Sequence, residues 1–406
     1  MPEDLIAEEK FCLLLARGSF TPDVAKRAVD RLETGLRWDV VLERATAHGL
    51  VPLVYNRLCA LEFSGVPAAI RRRLTDTFGV NAIRNILLAQ ELVSVLTQLG
   101  AAGVPVIPLK GTPLAESLYG DPALRISADL DILVQPKHLA DSLRLLARSG
   151  YTVRGGDSPL VGLLARYGKD CALTREVRQT AYPLQIHCGL IWGGPAERSL
   201  LAEIWADATP RPFHAAPAYA LSPEWEFLYL AIHAARHGLC PFKWLVDLDW
   251  VCVRGAVDWE KVQATAKRLG WQDPIDRCLT ACAALLETPV PEPFLRRAPR
   301  ARPRIRVSHP GPLQTHWETL FSLRLLPSFS RRFQFLATRL FVPTAADCDL
   351  LPLPSSLFFL YYVLRPMRLA GAAVRSLIQA SIAKLRRRRT TRVLPVWNND
   401  DIRLPF

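Results

Sequence analysis

The 406-residue sequence has no apolar run of the length a membrane span requires; its most apolar C-terminal stretch, Leu357 to Leu364, is cut off by Arg365 and Arg368. Eight residues fall well short of the roughly 20 that cross a bilayer as a helix. The first ten residues, MPEDLIAEEK, open with acids and lack an apolar segment, so no secretory leader is expected there. Cysteine is present nine times, an odd number spread over a long chain and never as C-x-x-C, which speaks against a disulfide framework and the common zinc spacings. Reduced, mostly buried thiols are the expectation, with a cytoplasmic location. Cys278 and Cys282, four apart on an expected helix, read as core packing. Also missing are G-x-x-x-x-G-K-[ST], G-x-S-x-G and H-E-x-x-H, which removes the P-loop, serine-hydrolase and zincin readings. No internal repeat is visible.

Half of the sequence is apolar and 22% is charged, which excludes a disordered chain and supplies core for more than one domain. The formal net charge of +13 is unevenly placed. Residues 296–406 hold 20 Lys+Arg against 5 Asp+Glu, and the remainder holds 31 against 33. The excess therefore belongs to the C-terminal quarter, where Arg386, Arg387, Arg388 and Arg389 would suit an anionic partner such as nucleic acid or a membrane surface. A solvated tail is the plainer account of the same four arginines.

Hydrophobic periodicity divides the chain into four parts. Residues 1–103 read as helical: Thr21-Pro22-Asp23 is a cap followed by proline at the first helical position, and Ile70 to Leu99 repeats Phe78, Ile83, Leu87, Leu88, Leu92, Val95 and Leu96 at helical spacing. Residues 104–220 alternate strand and helix: Val104 to Leu109, Thr112 to Tyr119, Ala128 to Val134, His138 to Ser149, then Cys171 to Arg175 and Tyr182 to Leu190 around a turn at Glu176 to Thr180. Residues 221–295 are helical again, starting at the cap Ser222 and Pro223. Residues 296–406 begin as an Arg/Pro-rich linker at Arg296 to Pro312 and continue as aromatic and apolar helices. The expected fold class is α+β, a small mixed sheet between helical regions.

Chemistry concentrates in the second part. On a strand, Asp129 and Asp131 share one face while Leu130, Ile132 and Val134 take the other. Two adjacent carboxylates repel, and oxygen ligands two residues apart suit Mg²⁺ (or Mn²⁺) carrying a triphosphate. A solvent-facing D-x-D strand is the alternative. Upstream, Pro108-Leu109-Lys110-Gly111-Thr112 ends a strand and opens a helix, so backbone N–H groups, a glycine and a hydroxyl could cradle phosphates. Lys110 and Arg125 add cations between the two. This layout suits phosphoryl or nucleotidyl transfer.

The run LKGTPLAESLYGDPALRISADLDILVQPKHLADSLRLLARSGY resembles the signature block of the uncharacterised bacterial nucleotidyltransferases of the DNA polymerase β-like superfamily. Its matching positions are Leu109, Lys110, Gly111, Tyr119, Gly120, Asp121, Arg125, Asp129, Asp131, Gly150 and Tyr151. The resemblance extends to His233-Ala-Ala-Arg-His237-Gly238, Lys243-Trp244-Leu245-Val246-Asp247 and Asp258-Trp259, and at the C-terminal end to Pro343-Thr344, Asp347, Leu353-Pro354 and Tyr361 to Leu369. It implies Mg-dependent transfer of a nucleoside monophosphate from an NTP to an acceptor, with Asp129 and Asp131 on the metal, Lys110, Gly111, Thr112 and Arg125 on the nucleotide, and His233, His237, Lys243 and Asp247 as substrate contacts or as ties between helices.

One position departs from the family. The superfamily's third carboxylate falls on a later strand, at a place matched here by Gln185, two residues before His187. Glutamine cannot serve as a base and holds Mg²⁺ weakly. Asp170 or Glu176 in its place, or His187 taking the proton, would preserve catalysis; otherwise the chain would bind nucleotide as a catalytically weak regulator. A third class of reading is an adaptor docking through the basic C-terminal part.

Overall fold

A computed structural model of the chain describes residues 5–153, 159–167, 170–191, 197–291, 294, 314–326 and 328–389. Four short helices, α1 (Ala7–Ala16), α2 (Pro22–Leu32), α3 (Trp38–His48) and α4 (Val51–Ala60), precede the long α5 (Ala68–Ala101). The Thr21 hydroxyl accepts from the Val24 N–H, as a cap before Pro22 should. The α/β part follows as β1 (Ile107–Pro108), α6 (Thr112–Tyr119), β2 (Leu130–Leu133), α7 (Leu139–Arg148), β3 (Thr152–Val153), α8 (Pro159–Tyr167), β4 (Asp170–Val177), β5 (Thr180–His187) and α9 (Arg198–Asp207). A small ribbon of β6 (Thr209–Pro210) and β7 (Tyr219–Ala220) joins β1 through the bond from the Tyr219 N–H to the Val106 carbonyl.

The five strands run β1-β2-β5-β4-β3, parallel only between β2 and β5. Alternation sorts their side chains onto two faces. Leu130, Ile132, Cys171, Leu173, Leu184 and Ile186 enter a core shared with Leu88, Leu92, Val95 and Leu99 of α5 and Leu139, Leu143 and Leu146 of α7. Asp131, Gln185, His187 and Asp170 lie on the opposite face.

A second, larger core holds the remaining helices. Phe11, Leu13 and Leu15 of α1 join residues of α10 (Pro223–Arg236), α11 (Lys243–Arg254), α12 (Trp259–Leu269) and α13 (Gln272–Leu286) in one apolar cluster, which also takes Ile107, Leu114 and Leu133 from the sheet region. The N-terminal helices and residues 221–286 thus share a core around the α/β unit. Cys278 and Cys282 lie in it, both fully buried. Among the described residues, no group of three or more His, Cys, Asp or Glu forms a metal cluster.

The C-terminal helices are α14 (Gln314–Leu325), α15 (Phe329–Phe341), α16 (Ala345–Leu350) and α17 (Tyr361–Arg389). The expected Arg296 to Pro312 linker lies outside the described residues. Arg386 to Arg389 form the end of α17. Large apolar side chains stay exposed here, among them Phe329, Phe333, Val363 and Met367. Against the expectation that Arg365 and Arg368 break the apolar stretch too early, Ser355–Arg375 is by length and composition alone a helical stretch able to cross a membrane, because helix continues past both arginines and the flanking residues are apolar. The Arg365 and Arg368 within it are both held by the Asp347 carboxylate, at 2.7 and 2.5 Å.

Candidate active site

The Asp129-x-Asp131 pair sits where the sheet meets the start of α6. The Leu109 N–H donates to the Asp131 carbonyl, so the end of β1 is fixed beside β2. Gly111 then turns with φ +81°, and a Cβ there would lie 3.5 Å from the Asp129 carbonyl oxygen. Glycine is required by the backbone angle, and the close approach of the two segments brings the start of α6 against the carboxylates.

Burial decides the first question about this strand. All four residues of β2, Leu130 to Leu133, are buried, so Asp131 is not on a solvent-facing stripe; Asp129, expected on the same strand, lies just before it and is partly exposed. The Asp131 side chain is 1% exposed; the Lys110 Nζ lies 3.0 Å from its Oδ2, and the His187 ring Nε2 lies 2.8 Å from its Oδ1. Burial alone would raise this carboxyl; the hydrogen bond from His187 and the charge of Lys110 outweigh it and hold Asp131 far below the usual carboxylate range. Asp129 is 30% exposed, with the Lys110 Nζ 4.0 Å away. Burial and the neighbouring Asp131 charge raise its pKa, against the pull of Lys110, Lys243 and His187. The two carboxylates therefore differ: one is fixed and ionised, and the other reaches solvent and gains from an added cation.

Because the ionised Asp131 only accepts, His187 donates through Nε2, and its Nδ1 is the acceptor in the neutral ring. That Nδ1 is buried and has no hydrogen-bond partner among the described residues. The hydroxyls of Thr112 and Ser127, 1% and 3% exposed, are in the same condition. Three orphaned polar atoms beside two carboxylates and a lysine form a polar site with unmet bonding capacity. Hard oxygen donors at Asp129 and Asp131 fit Mg²⁺ or Mn²⁺ with phosphate and water completing the shell.

Arg125, expected on the nucleotide, is paired with Asp247, for which a tie between helices is one of the two expected roles. Arg125 is 5% exposed, and its Nε and Nη2 donate to both oxygens of Asp247 at 3.0 to 3.2 Å. Tyr119 donates to the same carboxylate at 2.7 Å. Burial would lower the Arg125 pKa, but Asp247 raises it above its ordinary value. Asp247 has no exposed surface and no oxygen left for a substrate, so this pair ties α11 to the loop before β2. Lys243, on the first turn of α11, donates from Nζ to the Ile126 carbonyl at 3.3 Å. Burial, then Arg125 and Lys110, depress its pKa to about 8, against the opposing pull of Asp247 and Asp129. Lys243 thus joins Lys110 near the carboxylates.

His233 and His237 belong to another cluster. Their rings pack on each other and on Trp244, and the His237 Nδ1 lies 3.2 Å from Glu318 of α14. Gln185 occupies the register position opposite Asp131, where the family's third acid was expected. Asp170 is paired across from His187 and so shares its face. Glu176 pairs with Ala181, six residues further along β4, roughly 20 Å away at the strand rise, and cannot substitute at the site.

Sequence reasoning missed the residues of α5 that shape this site. Asn85 Nδ2 donates to the Pro122 and Arg125 carbonyls at 2.6 and 2.7 Å, Asn81 donates to the Ala123 carbonyl at 2.8 Å, and Arg84 Nη2 donates to the Ala128 carbonyl at 2.7 Å. Asn85 is fully buried, whereas Ile83, expected on the apolar face, is 63% exposed. Asn81 and Asn85, four apart on the stripe of Leu74 and Leu88, were the legible signal: polar groups on a buried face need partners.

Residues 34–287 match the model of a family described as uncharacterised nucleotidyltransferase. A search of curated proteins gives no match. Among solved structures, the chain is similar to an antigenic nucleotidyltransferase-like protein from Paracoccidioides brasiliensis at 14% identity and a TM-score of 0.32, over 52% of this chain and 97% of that one.

Proposed function

We propose, from the premise that the chain belongs to the uncharacterised nucleotidyltransferase family, that it moves a nucleoside monophosphate from an NTP to the hydroxyl of an acceptor and releases pyrophosphate. The observation that carries this reading is the buried Asp131, fixed by His187 and Lys110 beside the more open Asp129, at the glycine turn that starts α6. Mg²⁺ or Mn²⁺, when bound, supplies charge neutralisation for the triphosphate, and Asp129 and Asp131 are the residues that would hold it.

The chain's own groups have separable tasks. Lys110 balances the carboxylates and is long enough to turn to a phosphate oxygen. Thr112, with its orphaned hydroxyl, and the N–H groups of the α6 start would seat the β- and γ-phosphates. Lys243 adds a second cation from α11. His187 orients Asp131 through Nε2 and offers Nδ1 to hold a proton.

Gln185 opposite Asp131 favours one second reading, a nucleotide-binding regulator with weak turnover. Labelled ATP, GTP, CTP and UTP with Mg²⁺ or Mn²⁺ separate the two. The transferase reading expects pyrophosphate release that falls about 10²- to 10³-fold in Asp131→Asn while the fold is kept, since single electrostatic groups of this kind contribute about that much. Nucleotide binding with no turnover of any of the four would replace it with the regulator.

A further inference from the structure

A cavity with several charged side chains in its wall lies across the sheet from Asp131. It has a volume of about 260 Å³ and is bounded by Asp170 at the sheet, Arg236 of α10, Glu318 of α14, Arg339 of α15, Thr344 and Arg365 of α17. Its position follows from the sheet register: Asp170 is the cross-strand partner of His187, and His187 holds Asp131. The cavity therefore opens on the side of the sheet that carries the proposed metal ligands.

Most of its charges are spoken for. The Glu318 carboxylate receives Arg236 at 3.0 Å and His237 at 3.2 Å. Arg365 donates to Asp347 at 2.7 Å, to the Thr344 hydroxyl at 2.8 Å and to the Arg339 carbonyl at 2.7 and 2.9 Å. The guanidinium of Arg339 is different: it is half-buried and has no hydrogen bond or ion pair with any described residue, and Arg236 and Arg365 stand near it. Burial first, then these two like charges, push its pKa below the ordinary arginine value, with Glu318 and Asp170 opposing. A desolvated guanidinium facing two others calls for an oxyanion, which its planar fork can bind with two parallel hydrogen bonds.

We propose that this cavity is the acceptor subsite and that it seats the oxyanion, a phosphate or carboxylate, of a small hydroxyl-bearing acceptor, with Arg339 as the principal ligand. This rests on the nucleotidyl-transfer reading. The volume lies just below the usual range of small-molecule sites, about 300–1,000 Å³, which selects a compact metabolite over a polymer. With its anionic end on Arg339, the acceptor extends past Asp170 toward His187 and the NTP. Its hydroxyl oxygen then bonds to the α-phosphorus, the bond from that phosphorus to the bridging oxygen breaks, pyrophosphate leaves with the electron pair, and the hydroxyl proton passes to a base at the site, His187 Nδ1 or Asp170.

The test is calorimetric titration of the full chain with inorganic phosphate and, separately, with acetate, alongside a non-hydrolysable NTP. Wild type is expected to bind at least one of the two anions, Arg339→Met to lose that binding tenfold or more, and Arg339→Lys to retain part of it. Lys110→Met should keep anion binding and weaken only the NTP. The variant's melting point is read in parallel; because the Arg339 carbonyl, not its side chain, joins Arg365, Arg339→Met should keep that temperature. Anion binding unchanged in Arg339→Met, or abolished by Lys110→Met instead, or absent for both anions in wild type, overturns the subsite. Failure of wild type to bind any NTP, with the Arg339-dependent anion binding intact, overturns the nucleotidyl-transfer reading and the acceptor role with it.

Discussion

Two buried aspartates, Asp131 and Asp247, have nearly the same immediate chemistry and opposite consequences. Each is almost fully buried, and each faces a cation at 3.0 Å and a second donor at 2.7 to 2.8 Å. Asp247 is sealed: Arg125 engages both of its oxygens, Tyr119 completes the set, and the guanidinium is only 5% exposed. Asp131 is held by a flexible ammonium that is 19% exposed and shared with a half-open second carboxylate. A bidentate guanidinium in a closed pocket has no reason to let go, whereas a single ammonium can be exchanged for a ligand's charge. The difference between a tie and a site lies in whether the partner can leave.

The strongest way to break the comparison is at the sealed end. Replacing Asp247 by Ala leaves the buried Arg125 charge without a partner, an effect of about 3–5 kcal/mol on breaking such a pair. Urea unfolding of Asp247→Ala should therefore show a loss of that size, while Asp131→Asn, which keeps its oxygen for Lys110 and can turn its amide N–H to His187 in the ring's other tautomer, should lose less stability and nearly all turnover. Equal destabilisation by both would mean that Asp131 is also a tie.

This contrast also marks what the sequence carried. The order β1-α6-β2-α7 and the placing of Asp129 and Asp131 at a glycine turn were legible because they follow from local periodicity and from a motif within about 25 residues. Arg125 and Asp247 are 122 positions apart, so nothing in either segment says that they neutralise each other; a cation before a D-x-D strand reads as a ligand until its partner is located. Asn81, Arg84 and Asn85 were hidden for a related reason. Their bonds go to backbone carbonyls of the loop at residues 122–128, and a carbonyl has no sequence signature.

Lys243 feels the sealed Asp247 on one side and the open Asp129 on the other, so its removal sharpens the comparison with a smaller effect. Its folded pKa of about 8 lies below the ordinary 10.5. Between these values the unfolded chain binds a proton that the folded chain does not, so its contribution makes stability rise with pH from about 8 to 10.5. Nucleotide binding moves the other way, because the cation is lost above pH 8. Lys243→Met should gain on the order of 1 kcal/mol at pH 7, lose NTP affinity about tenfold, and no longer show the fall in affinity above pH 8. Thermal melts and NTP titrations across pH 6.5 to 9.5 check both signs; an affinity that keeps its alkaline fall in Lys243→Met would assign that fall to another group.

The smallest expected effect comes from the open end of the comparison. Gln185 faces Asp131 across β2 and β5, at the position where the resemblance leads one to expect a third carboxylate. Gln185→Asp places a third acid on that face, adding an anion beside Asp131 at a stability cost of about 1 kcal/mol. If the amide is what limits the site, Mg²⁺-dependent turnover should rise about tenfold, a change of about 1.4 kcal/mol in the barrier. Turnover that stays level or falls would mean that Asp170 and His187, adjacent on the same face, already supply what a third acid would; Asp170→Asn should then lose activity in wild type and recover part of it in the Gln185→Asp background.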